Sequence, residues 1–175
     1  MAAGGLGAKV LARAGVSVSE AQGARVFIDL ESGALDAAEA ISPAIDNALG
    51  LHRMARFYYF PGWQRPAALR DLIINPKRWD ALDPAQQAQI EAVCDESLHR
   101  ALAGAEVTEI DALKALQKNG ATVQRWNRSV LTALRTAWAD EELALARANA
   151  EFRRVADSLK TFGTKYALWR EIALP

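Results

Sequence analysis

The sequence has one cysteine, Cys94, and two histidines, His52 and His99. A lone thiol excludes an internal disulfide and leaves the redox compartment open. A metal centre needs such residues clustered with carboxylates, and the sequence offers only these three. Cys94 and His99 lie five residues apart on one predicted helix, off the i, i+4 face that paired ligands or a nucleophile and its base require. Both are assigned structural roles, with a tertiary pairing of Cys94 and His52 left open. Net charge is also missing. Lys plus Arg equals Asp plus Glu at 21 each, so no electrostatic case exists for nucleic acid or an anionic membrane surface. No stretch approaches the roughly 20 apolar residues of a membrane span. Residues 1–18 are interrupted by Lys9 and Arg13 and hold no apolar core of signal-peptide length. As it stands, the sequence predicts neither an export signal nor an anchor. Gly4-Gly5-Leu6-Gly7 lacks the Lys-Ser/Thr ending and the preceding strand of a phosphate loop, so a close-packed turn is the better reading. No nucleophile, metal or cofactor motif supports an enzyme.

What is present is globular. Half of the 175 residues are apolar and 24% are charged, which suits one domain or a piece of a larger one. The first part alternates short helices and short strands. Leu6 to Ala14 predicts a helix closed by Gly15, Val16 to Val18 a strand, and Ala21 to Glu31 a helix ended by Gly33. Leu35 to Ile41 is too short for a helix and suits a buried strand. Pro43 suits the first turn of a helix running through Ile45 and Leu49 toward His52. Arg56 to Phe60 is an aromatic strand broken by Pro61-Gly62, and Leu69 to Asn75 holds a further strand candidate, Leu72-Ile73-Ile74. Pro76 and Trp79 to Leu82 form a short helical turn. This rhythm favours α/β organisation.

The strongest signal follows. Asp83 caps a helix, Pro84 takes its first position and Gln86 stands three residues after the cap. Apolar residues then recur at helical spacing from Ile90 to Leu116, with no proline before the stop at Asn119-Gly120. Such a helix is about 50 Å long at ~1.5 Å per residue, enough to run beyond one lobe. Gly104 marks a candidate bend. Thr122 to Trp126 suits a short strand. Helices follow from about Val130 to Ala150, capped by Asn127 or Ser129, and from Phe152 to Ile172. The second carries a stripe of Phe152, Val155, Leu159, Phe162, Tyr166 and Trp169. Asp140-Glu141-Glu142 is taken as a solvated face. Glu39, set among apolar neighbours, is costly there unless paired or liganded. Trp63 and Gln64 sit in the aromatic loop after Pro61-Gly62.

Gly5 to Val16 resembles the start of the second lobe in receptors of tripartite ATP-independent periplasmic (TRAP) transporters. Leu30, Gly33, Asp36 and Glu39 match that family's leucine-x-x-glycine-x-x-aspartate-x-x-glutamate signature, with Pro43 at the usual distance. Tyr58 to Pro66 is similar to the Phe-Pro-Gly-Trp-His segment of the branch that binds keto acids and related carboxylates. Asn75 to Pro84 resembles the entry to the family's long helix. The pieces run in order over nearly the whole chain.

The resemblance implies an α/β fold of the periplasmic-binding-protein type II kind. It implies partial lobes with short strands, one very long helix and a helical C-terminal part. Residues 1–66 then form a second-lobe segment, 67–120 a strand and the long connecting helix, and 121–175 a C-terminal strand and helices. The first lobe and signal peptide are expected to be absent, by truncation, a misplaced start or engineering. Such receptors capture a small organic acid in the periplasm and pass it to a membrane permease without chemistry. The resemblance makes Glu39, Ala40, Trp63 and Gln64 ligand-binding residues. It also makes Glu39 a ligand of a cation, sodium or calcium, that bridges to the substrate carboxylate. Ala40 stands where the family usually has tryptophan, which enlarges the pocket or changes the substrate. Gln64 replaces a common histidine. Met1, Ala2 and Ala3 occupy the stretch where the family carries an arginine that clamps the carboxylate bidentately. Short strands without visible partners and exposed apolar helix faces further suggest poor folding alone or association with itself. The alternative reading is a small, mostly helical cytoplasmic interaction protein.

Overall fold

Asp83 organises the longest element of the molecule. In the computed structural model, which describes residues 1–20, 22–63 and 71–173, its carboxylate accepts the Gln86 N–H at 2.9 Å. The Gln86 side chain accepts the Asp83 N–H in return at 3.1 Å. This reciprocal cap satisfies two donors that a helix start otherwise leaves orphaned. Helix α5 then runs unbroken over Pro84–Lys118, through Gly104. It stops at Asn119 and Gly120, the latter at φ 97°, a left-handed conformation that a side chain would oppose.

The remaining elements in chain order are α1 (Gly5–Arg13), α2 (Ala24–Glu31), α3 (Pro43–Ala48), a 3-10 turn (Leu51–Arg53), β1 (Phe57–Phe60) and α4 (Pro76–Trp79). After α5 come β2 (Thr122–Arg125), α6 (Arg128–Ala148) and α7 (Ala150–Ala173). The fold is mainly helical with one small parallel sheet. Strands β1 and β2 pair in register Phe57↔Thr122 to Phe60↔Arg125. Parallel neighbours need a long crossover, here supplied by α4 and α5.

Several expected strands do not form. Residues 16–18 form no strand, and next to them Ser19 makes an isolated bridge with Ala2. Three hydrogen bonds hold it: Met1 N-terminus to Ser17 O, Ser19 N–H to Met1 O and Ala3 N–H to Ser19 O. With one short neighbouring segment, no ladder grows. Leu35 to Ile41 is irregular apart from a bridge residue at Ala38. Leu72 to Ile74 is irregular too, with Ile73 almost fully exposed. Apolar content marked these segments as strands, but a strand needs a paired backbone as well as apolar side chains. The rest of that candidate, Leu69 and Arg70, lies outside the described residues.

The chain divides into two compact units. The first joins residues 1–22 to 126–175. In it α1 packs on α6, burying Val10 and Leu11 beside Leu134 and Ala137. Glu141, on the same face of α6, is also buried, against the expectation of a solvated acidic run. It accepts two hydrogen bonds from the Arg13 guanidinium, at 2.7 and 3.1 Å. Asn149, extended at φ −140° and ψ 114°, ends α6, and its side chain accepts the Phe152 N–H at 2.9 Å to cap α7. The stripe on α7 faces outward: Val155, Leu159, Phe162, Tyr166 and Trp169 are all exposed.

The second unit spans residues 23–125. Here α3 packs on α5, and Leu116 is buried with 1% exposure. Ser42, at the cap position of α3, makes no side-chain bond there. Glu109 of α5 accepts the Ala44 N–H instead, at 2.9 Å, so the long helix caps the short one. Val93, Leu98, Leu102, Val107 and Ile110 of α5 stay exposed.

Candidate functional site

The residues singled out by the sequence fall in the second unit. Leu30 and Leu35 are buried and pin the turn after α2, where the Leu35 N–H reaches the Asp29 carbonyl at 2.9 Å. Gly33 takes φ 75° in that turn. The chain then passes irregularly through Asp36, exposed, to Glu39 and Ala40, both half-buried. Trp63 is half-buried as well and follows β1 after the Pro61-Gly62 break. Gln64 lies outside the described residues.

One side chain ties these two segments together. Asp46, on α3, is fully buried. One carboxylate oxygen accepts the Ile41 N–H at 3.1 Å, and the other accepts the Tyr58 hydroxyl. The Ser42 N–H is a further donor. Ile41 stands two residues after Glu39, and Tyr58 stands on β1, five residues before Trp63. A single carboxylate therefore anchors both the Glu39-bearing segment and the strand that leads to Trp63.

The electrostatics of this junction are unusual. Burial raises the Asp46 pKa, because water no longer stabilises its charge. The hydrogen bonds from Tyr58, Ile41 and Ser42 oppose that rise, and the Glu109 carboxylate adds to it. Tyr58 is driven well above the ordinary tyrosine value, first by burial and then by the adjacent Asp46. No cation neutralises Asp46 through any of these contacts; its partners are neutral donors.

Sequence reasoning missed Asp46, although the signal was of the kind that drew attention to Glu39. Asp46 sits between Ile45 and Leu49 on a short helix, where a carboxylate is costly unless its oxygens find donors.

Other candidate sites are less coherent. A cleft of about 480 Å³ in the second unit is walled by Leu72, Ile74, Trp79, Ile90 and Cys94, with Asp80 at its edge. None of Glu39, Ala40 and Trp63 lines it. Cys94 is exposed, and the His99 Nδ1 lies 2.8 Å from the Asp95 carbonyl of its own helix. Among the described residues no group of three or more His, Cys, Asp or Glu side chains is arranged to hold a metal ion. Glu39 therefore fits a hard cation only as one oxygen ligand among several. Sodium or calcium accepts that arrangement, because such ions also take carbonyl and substrate oxygens. No helix among the described residues is long and apolar enough to cross a membrane.

Known proteins place the fold. Residues 3–142 match the family described as bacterial extracellular solute-binding protein, family 7. A monocarboxylate 2-oxoacid-binding periplasmic protein of Nostoc sp. is 29% identical over 168 residues, covering 96% of this chain and 46% of that protein. A TRAP transporter solute-binding protein from Bordetella bronchiseptica superposes with a TM-score of 0.86 at 34% identity. The match covers 99% of this chain and 52% of that one, which is described as a mixed-occupancy dimer with copurified calcium and picolinate. A TRAP periplasmic solute-binding protein from Pseudoalteromonas atlantica, with bound sodium and pyruvate, gives a TM-score of 0.82 at 25% identity, covering 97% and 52%. The chain thus spans about half the length of the relatives it matches. Over that half it has the fold of TRAP solute-binding proteins.

Proposed function

The chain belongs to the bacterial extracellular solute-binding proteins of family 7, and on that premise we propose that it forms part of a periplasmic receptor for a small organic acid. The family is one of transport proteins, not of enzymes. In this reading residues 1–66 supply a segment of one lobe, 67–120 a strand and the connecting helix, and 121–175 the C-terminal strand and helices; the compact units divide the chain differently, joining 1–22 to 126–175 and leaving 23–125 as the other. The receptor takes a monocarboxylate, with a 2-oxoacid as the first candidate, and delivers it to a TRAP permease.

The observation that carries the reading is the junction at Asp46, which holds the segments bearing Glu39 and Trp63 to one carboxylate. Glu39 would offer one anionic oxygen to a sodium or calcium ion, which when bound would supply positive charge for a substrate carboxylate. Trp63 offers an apolar wall, and Gln64 a neutral amide. Ala40 leaves room beside Glu39 for a substrate bulkier than one packed against tryptophan. The relatives with calcium and picolinate, and with sodium and pyruvate, support a cation and a carboxylate bound together.

Association with itself belongs to the same reading, supported by the exposed apolar stripe on α7. Phe162→Glu is expected to shift sedimentation toward the monomer. An unchanged sedimentation coefficient removes α7 from any self-contact. The alternative of a helical cytoplasmic interaction protein has no comparable support, since the parallel β1–β2 pair and the family match both point elsewhere.

Calorimetry of the full-length gene product with pyruvate tests the function, with and without calcium. The expected result is saturable binding that needs the cation and weakens at least about tenfold in Glu39→Ala, as loss of a ligating group requires. Equal affinity in both proteins removes Glu39 from the site.

A further inference from the structure

We propose that Asp46 is the positioning residue of the candidate site, setting the spacing between the Glu39 segment and the strand that leads to Trp63. The inference rests on the carboxylate-receptor reading for its functional consequence, but its structural half stands alone.

The geometry carries it. Asp46 is fully buried and spends its two oxygens on two different parts of the chain. One oxygen takes the Ile41 N–H and the other takes the Tyr58 hydroxyl. Ile41 itself is exposed, with 69% of its surface open, so the hydrogen bond rather than side-chain packing fixes the backbone there. Apart from a bridge residue at Ala38, the segment from Leu35 to Ile41 belongs to no helix or strand. Its backbone donors therefore depend on acceptors elsewhere. Asp46 provides one of them beside Glu39.

Asp46 is itself held from the other side. The short helix that carries it is capped by Glu109 of α5 through the Ala44 N–H. Asn119, at the end of α5, reaches Asn47 at 3.5 Å. The long helix thus fixes α3, α3 fixes Asp46, and Asp46 fixes both site segments. A carboxylate suits the post because its oxygens only accept, so two donors from different segments can be served at once. Burial favours the same outcome, since an acceptor without water must keep the donors it has.

The role differs from that of a ligand. Asp46 has no exposed surface to offer a solute. Its influence passes through Ile41 to Glu39 and through Tyr58 to the chain entering Trp63. Removing it should loosen both segments while leaving the distal half of α5 intact.

Hydrogen exchange and calorimetry on the full-length gene product test this with three variants. In Asp46→Ala, amide protection should fall at residues 39–42 and 57–60 and stay unchanged at 105–116. In Tyr58→Phe, which leaves one buried Asp46 oxygen without its donor, the urea midpoint should fall by less than in Asp46→Ala, Ile41 should keep its protection, and pyruvate affinity with calcium should fall by roughly tenfold, the scale seen when groups behind ligands are removed. Asp46→Asn, which keeps an acceptor oxygen and a polar partner for Tyr58, should restore most of the protection and affinity. That rescue separates positioning from a need for the charge itself. Uniform loss of protection along the chain in Asp46→Ala, or full affinity in Tyr58→Phe, overturns the proposal. If the wild-type protein fails to bind pyruvate, the receptor reading falls. The exchange pattern, measured without ligand, still decides whether Asp46 holds the two segments.

Discussion

Two buried carboxylates, Glu141 in the first unit and Asp46 in the second, are treated in opposite ways; Asp29, also buried in the second unit, pairs with Arg25 of its own helix at 2.7 Å. In the first, Glu141 meets a guanidinium: Arg13 reaches it at 2.7 Å. In the second, the donors to Asp46 among the described residues are all neutral, with Glu109 near enough to disfavour its charge. Arg13 and Glu141 join two helices, α1 and α6, in a region where Val10, Leu11, Leu134 and Ala137 also pack. The ion pair there reinforces an apolar contact. Asp46 instead joins an irregular segment to a strand, where apolar packing is thin and hydrogen bonds set the geometry. The comparison teaches that a buried charge with a counter-charge fastens packed elements. A buried acceptor without one can place a backbone that packing leaves loose.

The sharpest break of this contrast is Asp46→Ala. It strands the Ile41 and Ser42 N–H groups and the Tyr58 hydroxyl, and it should cost about 2–4 kcal/mol in urea unfolding, the range for several buried donors left without acceptors. Asp46→Asn should cost less than about 1.5 kcal/mol, because one acceptor oxygen remains.

Next in size is the ion pair. Glu141→Ala should cost about 1–3 kcal/mol, tempered by the partial exposure of Arg13. In a double-mutant cycle with Arg13→Ala, the coupling should be favourable and near ~1 kcal/mol. A coupling of zero would show the two groups to be independent and erase half of the contrast.

The pH dependence is a subtler distinction. Burial raises the Asp46 pKa above its ordinary 3.8. Between those two values the folded chain binds more protons than the unfolded chain. The contribution of Asp46 to stability is therefore greatest below pH 3.8 and declines as pH rises through the elevated value. Asp46→Asn should remove that decline, seen as a flatter plot of urea midpoint against pH across this window. Tyr58 is raised as well, so the folded state should lose a further increment above about pH 10, and Tyr58→Phe should abolish it.

The smallest effect treats the units alike. Gly104 in α5 and Gly163 in α7 both lie mid-helix, and an added Cβ at either meets nothing within 4 Å. Gly104→Ala and Gly163→Ala should each stabilise by about 0.5–1 kcal/mol in thermal melts. A loss at Gly104 alone would indicate that the long helix bends there in solution.

The sequence spoke most clearly where local rules suffice. The Asp83–Gln86 cap, the stop at Asn119-Gly120 and the helices on either side of Asn149 follow from residues a few positions apart. The strand at Phe57–Phe60 was visible in its aromatics, and its partner at Thr122–Arg125 in the short extended run after Gly120. Non-local facts were not visible. Leu72 to Ile74 has strand composition but no strand partner among the described residues. Glu141 sat in an acidic run that looked solvated, because only the fold brings Arg13 from α1 to meet it. Asp46 was hidden for a similar reason: its donors come from a loop and a strand that the short helix meets only after folding. The resemblance singles out Glu39, Ala40 and Trp63 as candidates, and what joins their segments was not visible in the sequence.

The account turns on whether Glu39 and Trp63 share one cation site. Terbium luminescence addresses this directly, because the ion takes calcium-type oxygen ligands and emits strongly when a nearby tryptophan is excited. In the full-length gene product, tryptophan-sensitised emission should appear, be displaced by calcium, and be largely lost in both Glu39→Ala and Trp63→Phe. Emission that survives both substitutions would contradict the account.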